Sequence, residues 1–437
     1  MKRTGIVVIL NAVVLIGAFG QGISLEQVRT LVLANSRSLA KYNLMIKSSL
    51  LDEKSQTYTN LPSLSLGVSA SMNLWGQQIL LDSLSTGANF SVSQKLWDGG
   101  KNTVLKAINA ISTEITRQDA LAEYYTVLDA ADAAYYGVLE AAAALDAAKA
   151  ALETAALSLS IAEARLESGM IRYGDYLQAL SDKAAKETTW NQARRDLTLN
   201  IAKLRSLTGL RELPGLEALD FAAYEEPLQK LAALSEQAID ALYWTFWKTV
   251  EARNPALAKA ALSSRKAGQS VNLAKKDYLP SLSASLSTGL TYSNGLEPSA
   301  GRLSLSGSIP LDFWVTRTKV EKEKIAQEQA VLTYQDTEVT MEIELQTALL
   351  DVITQASSVL SSRKAFEYAQ KHFEYIMELY QLSQNSLSEL SDAAGLVSSN
   401  HNQLIKVQYG FLQGLSKLRS LGAFDDEAGV IALLLSL

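Results

Sequence analysis

The chain has 437 residues, 48% of them hydrophobic and 20% charged, with a formal net charge of −6, no Cys and two His. The missing cysteine excludes a disulfide scaffold, a thiolate metal site, a cysteine nucleophile and a lipid-modified N-terminal cysteine. The hydrophobic fraction excludes a disordered chain, and the mild acidity gives no electrostatic reason to expect nucleic acid.

Residues 1–20 read as a secretory signal peptide. Lys2 and Arg3 precede an apolar run from Ile6 to Phe19, and Ala18 and Gly20 are small residues flanking a cut after Gly20. The alternative is a membrane anchor, but a spanning helix needs roughly 20 apolar residues and this run is shorter. Cutting there removes Lys2 and Arg3 and takes the charge from −6 to −8. No later stretch is long and apolar enough for a membrane helix, so contact with a membrane falls to strands or to the surface.

The rest of the chain is a duplication. Leu61-Pro62-Ser63-Leu64-Ser65 recurs as Leu279-Pro280-Ser281-Leu282-Ser283, and Leu39-Ala40-Lys41 as Leu257-Ala258-Lys259, both 218 residues later. Lys203-Leu204-Arg205-Ser206-Leu207 recurs as Lys417-Leu418-Arg419-Ser420-Leu421, 214 residues later. Matches in one order at nearly one offset mark two copies of one unit. The first copy covers 21–210, a Pro- and Gly-containing connector covers 211–228, the second copy covers 229–422, and a tail covers 423–437.

Each copy opens with a helical lead-in, about 24–60 and 229–278. Two strand-like segments follow, about 62–75 and 86–97 in the first copy and 281–292 and 301–312 in the second. Leu64, Leu66 and Val68 alternate with Ser63, Ser65 and Gly67; Leu303, Leu305 and Ile309 alternate with Ser304, Ser306 and Ser308. Period two places an apolar face opposite a serine-rich face. The lengths suit tilted membrane strands of roughly 9–11 residues. Trp75, Trp97, Tyr292 and Trp314 sit at or just past strand ends, where interfacial aromatic girdles lie. A soluble sandwich with one wet face is the competing reading. Four strands cannot close a barrel, and unpaired edges in lipid are costly, so membrane strands here require several chains to share one barrel of about 8, 12 or 16 strands.

Long helices come next. Lys101–Ser168 holds no Pro and one Gly, and Leu311–Ala394 holds neither, which favours unbroken helix. Helices on the order of 100 Å need lateral partners. Val339, Ile343, Leu350, Ile353 and Leu360 step as a coiled-coil seam. Breaks at Glu167–Gly174 and Gln384–Ser391 precede final helices of about 30 residues.

With these elements in place, the chain resembles the TolC-like outer-membrane efflux protein family. The likeness rests on Asn254-Pro255-Ala256-Leu257 with Leu279-Pro280-Ser281-Leu282-Ser283, on Leu96-Trp97-Asp98-Gly99-Gly100-Lys101, on Gly169 to Ala179, and on Leu207-Thr208-Gly209. It implies an α+β membrane protein: a homotrimer in the cell outer membrane whose shared β-barrel, four strands per chain, continues as a long α-helical coiled-coil barrel in the periplasm. It implies an exit duct for efflux or type I secretion, fed by an inner-membrane transporter through a periplasmic adaptor, with no cofactor and no catalysis. The two breaks become hairpins at the periplasmic tip. Asp175 and Asp392, 217 apart, become candidate constriction residues; their place after a loop equally suits a helix N-cap. Gly169, Met170, Arg172, Ser386 and Leu387 become the candidate adaptor-docking tip, although the family's Val-Gly-Leu pattern is absent there. The second strand-to-helix turn, Leu311-Asp312-Phe313-Trp314, also lacks the glycine pair.

No phosphate loop, metalloprotease or nucleophile-elbow motif occurs, and Gly99-Gly100-Lys101-Asn102 lacks the spacing of a phosphate loop. His372 and His401 read as solvated helix positions. The runner-up function is a periplasmic structural coiled-coil protein with a small soluble β domain.

Overall fold

A computed structural model describes residues 22–72, 84–292, 296–382 and 384–435. The signal peptide and Trp75 lie outside the described residues. The elements in chain order are α1 (Leu25–Asn35), α2 (Arg37–Tyr58), β1 (Ser63–Met72), β2 (Leu84–Trp97), α3 (Lys101–Glu167), α4 (Tyr173–Thr208), α5 (Glu225–Ala232), α6 (Glu236–Arg253), α7 (Pro255–Lys275), β3 (Ser281–Tyr292), β4 (Leu296–Ser308), α8 (Phe313–Gln381), α9 (Leu387–Leu421) and α10 (Glu427–Leu434). Each predicted lead-in is thus more than one helix. The first breaks at Ser36, and the second breaks at Asn254, where Pro255 occupies the first position of α7, which lacks a partner for an N–H in any case.

The chain divides into two compact units. The smaller, Ala40–Leu121 with Pro255–Val339, contains all four strands. They form one antiparallel sheet in the order β1-β2-β3-β4. The register lines up Leu64, Val92, Leu286 and Leu303 across the sheet, and Ser63, Ser93, Ser285 and Ser304 one position away. Serine hydroxyls meet across strands: Ser63 Oγ to Ser93 Oγ at 2.6 Å, Ser65 to Ser91 at 2.6 Å, and Ser283 to Ser306 at 2.9 Å.

Two irregularities correct the predicted strand bounds. A bulge leaves Leu96 without a register partner and sets Trp97 opposite Leu282, so Trp97 rather than Leu96 joins the apolar register. In β4 the register steps between Ser287 and Gly289, because two residues of β4 oppose one of β3. The step reverses the alternation at Gly301, so the strand begins at Leu296 rather than 301. It ends at Ser308 rather than 312, because Pro310 has no N–H to offer a neighbour.

The strand-to-helix turns differ between copies for a local reason. Asp98 accepts from Gly100 N at 3.0 Å and Asn102 N at 2.8 Å, which caps α3. Gly99 and Gly100 hold φ of 70° and 80°, and a Cβ on Gly99 would meet Leu279 Cβ at 2.8 Å. In the second copy α8 starts directly after Asp312, whose carbonyl accepts from Val315 N at 2.9 Å, and no left-handed residue is needed. Asp277 accepts from Lys101 Nζ at 2.7 Å and Lys319 Nζ at 2.5 Å. Burial favours its neutral form, but these two ammonium groups outweigh burial and hold the carboxyl below the usual range.

The larger unit, built from the described residues of Met1–Leu39, Ala122–Asn254 and Thr340–Leu437, is helical wherever those residues form regular structure. Its core takes Val28 and Val32 from α1, Tyr135 and Tyr136 from α3, Phe246 and Val250 from α6, Leu412, Leu415 and Leu418 from α9 and Val430 from α10. Ile23 forms a parallel bridge with Leu216, so the start of the described chain lies on the connector. In the same core, Asp132 is wholly buried between two buried arginines. It accepts from Arg29 Nε at 2.6 Å and Nη2 at 3.0 Å, and its carboxylate forms an ion pair with Arg419 Nη2 at 2.8 Å. Arg29 also bonds Glu427 of α10, and Ser420 bonds Asp129. Burial pushes the Glu427 and Asp129 carboxyls up, with Arg29 and Ser420 respectively opposing it in part.

The seam predicted on α8 is not the one the chain buries. Leu345, Leu349, Val352, Ala356 and Val359, stepping 4, 3, 4 and 3, are buried within the chain. Val339, Ile343 and Leu350 stay exposed. Ile353 and Leu360 are half-buried, so the helix carries two apolar stripes and the predicted one is open only in its first part, up to Leu350. A close approach serves the buried stripe: a Cβ on Gly414 of α9 would lie 2.7 Å from Val352 Cγ2. His372 is exposed as expected, but His401 is half-buried. It stacks on Phe366 at 4.4 Å and 19°, and burial holds its imidazole below the ordinary value.

Candidate functional site

Both edge strands of the sheet, β1 and β4, hydrogen-bond to a neighbour on one side only. Their apolar side chains are open, from Leu64 at 69% and Val68 at 81% to Leu303 at 78%. An open edge beside a bare apolar face is an aggregation hazard in water, and a closed barrel removes it. Trp97 and Tyr292 mark opposite ends of the sheet in the register, and both are exposed; Trp314 is exposed in the first turn of α8. The smaller unit also carries two exposed heptad stripes, Leu44, Leu51 and Tyr58 on α2 and Ile325, Leu332 and Val339 on α8. In chain order α2 leads into β1 and α8 follows β4, so each stripe lies on the helix next in sequence to an open edge.

The helix breaks are tighter than predicted. The first spans 168–172 and the second 382–386. Gly169 ends α3 with φ 70°; Gly169 N donates to Leu166 O at 3.0 Å and Met170 N to Arg165 O at 2.8 Å, a Schellman closure. Gln384 N donates to Leu379 O at 2.9 Å in the second copy. Met170 and Arg172 project into solvent, as does Ser386. Leu387 does not: it is buried with Leu390, Ala393, Ile376, Tyr380, Leu159, Ala162 and Ala179 in an apolar cluster that joins the ends of α3, α4, α8 and α9.

Asp175 and Asp392 do not occupy equivalent positions. Asp175 is the third residue of α4, and its carboxylate accepts from Arg172 N at 3.3 Å. In α9 that place belongs to Glu389, which accepts from Ser386 N at 2.9 Å while Ser386 Oγ accepts from Glu389 N at 3.3 Å. Asp392 lies in the second turn, exposed. Neither aspartate is an N-cap residue; those are Arg172 and Ser386. The Ser-x-x-Glu capping box at 386–389 was the readable signal for this alignment.

Sequence reasoning missed two links in this cluster. Arg165 of α3 donates to the carbonyl of Tyr380, approaches that of Gln381 at 3.5 Å, and lies 4.1 Å from the Tyr380 ring centroid. A guanidinium there satisfies the last carbonyls of α8 and complements its dipole. Ser391 Oγ donates to Asp182 Oδ2 at 2.7 Å, tying α9 to α4. Beside that link a cavity of about 100 Å³ opens, lined by Ala150, Ala151, Ala155, Asp182, Ser391 and His401 among others. No set of His, Asp and Glu side chains among the described residues is grouped to hold a metal.

An incomplete sheet with two open edges, carried on paired long helices, defines a subunit of a barrel shared between chains. Residues 28–210 and 247–422 match the family described as Outer membrane efflux protein, one match per repeat, and the chain belongs to that family. It is an outer-membrane efflux channel of the TolC type, extending into the periplasm, and a non-enzymatic conduit. Membership implies a trimeric channel within a tripartite efflux system. No curated protein matches the sequence. Among solved structures, the chain is similar to CusC at 17% identity and TM-score 0.77, covering 91% of each chain. It is similar to the CmeC outer-membrane channel of Campylobacter jejuni at 15% identity and TM-score 0.74, covering 94% of this chain and 89% of that one. It is also similar to the open MtrE channel of Neisseria gonorrhoeae at 17% identity and TM-score 0.62, covering 91% and 88%. At these identities the likeness is one of fold. The soluble structural reading falls with the family assignment.

Proposed function

We propose that three copies close head to tail, the β1 edge and α2 stripe of one protomer against the β4 edge and α8 stripe of the next. The observation that carries this is that each open edge is next in sequence to a helix with an exposed heptad stripe. Pairing the edges satisfies backbone groups that lipid cannot. The apolar sheet face then meets outer-membrane lipid, Trp97, Tyr292 and Trp314 lie at its interfaces, and the serine face lines the bore.

The paired helix turns are the docking tip for a periplasmic adaptor that hands over cargo from an inner-membrane transporter. Met170 and Arg172 offer the exposed contacts, with Gly169 and Ser386 shaping the turns. Asp175, with Glu389 at the matching place and Asp392 a turn further on, supplies rings of carboxylate that favour cations at the constriction.

The test uses the cysteine-free background. Single cysteines placed along β1 and β4 should crosslink in pairs across protomers and yield a three-chain species on denaturing gels, and the purified protein should conduct in planar bilayers. Crosslinks confined to one chain, or well-folded protein without conductance, would refute the closure. Asp175→Asn and Glu389→Gln should lower cation preference, and unchanged reversal potentials would remove these residues from the constriction.

A further inference from the structure

The four strands contain three charged residues, Lys95 on β2 and Glu297 and Arg302 on β4. The register places both cations on the serine face. Lys95 pairs with Ser283, and Arg302 pairs with Ser287, which pairs in turn with Ser91. Both side chains are exposed, and neither has a carboxylate partner among the described residues. Asp98, nearest to Lys95 in sequence, is committed to the α3 cap, and Asp277 to Lys101 and Lys319. Glu297 pairs with Thr291 near the far end of the sheet, roughly 15 Å along the strand from Arg302.

We propose that Arg302 and Lys95 form two cationic rings on the lumen face of the barrel and make this section of the duct favour small anions over cations, opposite in sign to the carboxylates proposed at the tip. The inference rests on the closed three-chain ring of the preceding section. Twelve tilted strands give a backbone radius of roughly 12 Å. An extended arginine reaching inward by roughly 6 Å leaves a gap to the axis shorter than the Debye length of about 8 Å at physiological salt. The field of each ring therefore spans the bore. Its neighbours on that face, Ser65, Ser91, Ser287 and Ser304, are uncharged and neutralise nothing. The distance along the strand to Glu297 exceeds the screening length. Rings of Arg and Lys are the arrangement that selects anions in pores, as carboxylate rings select cations.

The experiment is reversal-potential measurement across planar bilayers under a KCl gradient, using the full mature protein, Arg302→Gln, Lys95→Gln and the charge-conserving Arg302→Lys. Each glutamine variant should lower the chloride-to-potassium permeability ratio roughly two- to threefold near physiological salt and more at lower salt. Arg302→Lys should stay at the wild-type ratio. A conducting wild type whose ratio neither glutamine variant moves would overturn the cationic rings while leaving the three-chain closure intact. A folded wild type that forms no channel would overturn the closure itself, and the rings with it.

Discussion

Replacing Asp132 by Asn tests the buried charge network most directly. The amide keeps the shape and removes the charge that two buried arginines share. Arg29 donates to this carboxylate through Nε and Nη2 at 2.6 and 3.0 Å, and Arg419 Nη2 forms an ion pair with it at 2.8 Å, with Asp132 wholly shielded from water. Breaking a buried pair from one side costs about 3–5 kcal/mol, because the abandoned charge stays desolvated. Here Glu427 and Asp129 remain as partial partners for Arg29 and Arg419, so the lower part of that range applies. At roughly 2–4 °C per kcal/mol for units of this size, the unfolding temperature should drop on the order of 10 °C. Near-ultraviolet circular dichroism of the detergent-solubilised protein during heating reads the change. A double replacement, Asp132→Leu with Arg29→Met, should not recover the loss, since it leaves Arg419 without Asp132 and Glu427 without Arg29, both still largely buried. An Asp132→Asn midpoint within about 2 °C of wild type would show that the network contributes little and that the core stands on apolar packing alone.

Three further outcomes follow from local geometry. His401 has a folded pKa below its unfolded value, so its contribution is complete above about 6.5 and is lost as pH falls below that value; His401→Phe, which keeps the stack on Phe366, should flatten the acid limb of a stability–pH curve. Asp277 has a folded pKa below its unfolded 3.8, so its contribution is present above that value and lost as pH falls through the depressed one. Lys101 and Lys319 are both more than a third exposed, so Asp277→Asn should cost no more than about 1 kcal/mol in denaturant titrations at neutral pH. Gly209 and Ala423 match in the repeat and both are left-handed, with φ 74° and 47°, Gly209 directly after α4 and Ala423 following Gly422 after α9. Ala423→Gly should stabilise by about 1 kcal/mol or less, while Gly209→Ala should cost about 1–2 kcal/mol or more, since its Cβ would press on Asn35 at 2.9 Å.

The period-two segments were readable because serine and leucine alternate without interruption, and the long helices because helix breakers are absent. What could not be read were events that change the period. The bulge at Leu96 is invisible in a pattern where Leu96 already has apolar parity, and only the pairing with β3 hands the apolar register to Trp97. The step in β4 hid its first residues by reversing the alternation before Gly301. The buried seam of α8 was overlooked for a different reason. Leu345, Leu349, Val352, Ala356 and Val359 form as good a heptad as the exposed stripe, and periodicity cannot say which stripe meets its own chain.

The tip shows how one offset can mislead. Leu61-Pro62 and Leu279-Pro280 are 218 apart, yet Asp98 and Asp312, the starts of α4 and α9, and Gly209 and Ala423 are all 214 apart. The second copy is therefore four residues shorter between β-hairpin start and strand-to-helix turn, and every later equivalence uses 214. On that spacing Asp175 matches Glu389, and both carboxylates accept from the backbone N–H that opens their helix. Capping demands a carboxylate or amide at that place, whichever side chain the pore requires. Helix initiation alone thus accounts for a carboxylate or amide at this place in both repeats, and the constriction role proposed for Asp175 and Glu389 falls to the same atoms. Asp392 takes no part in a cap, so Asp392→Asn tests the proposed constriction without touching one, whereas Asp175→Asn and Glu389→Gln also remove the charge of a capping group.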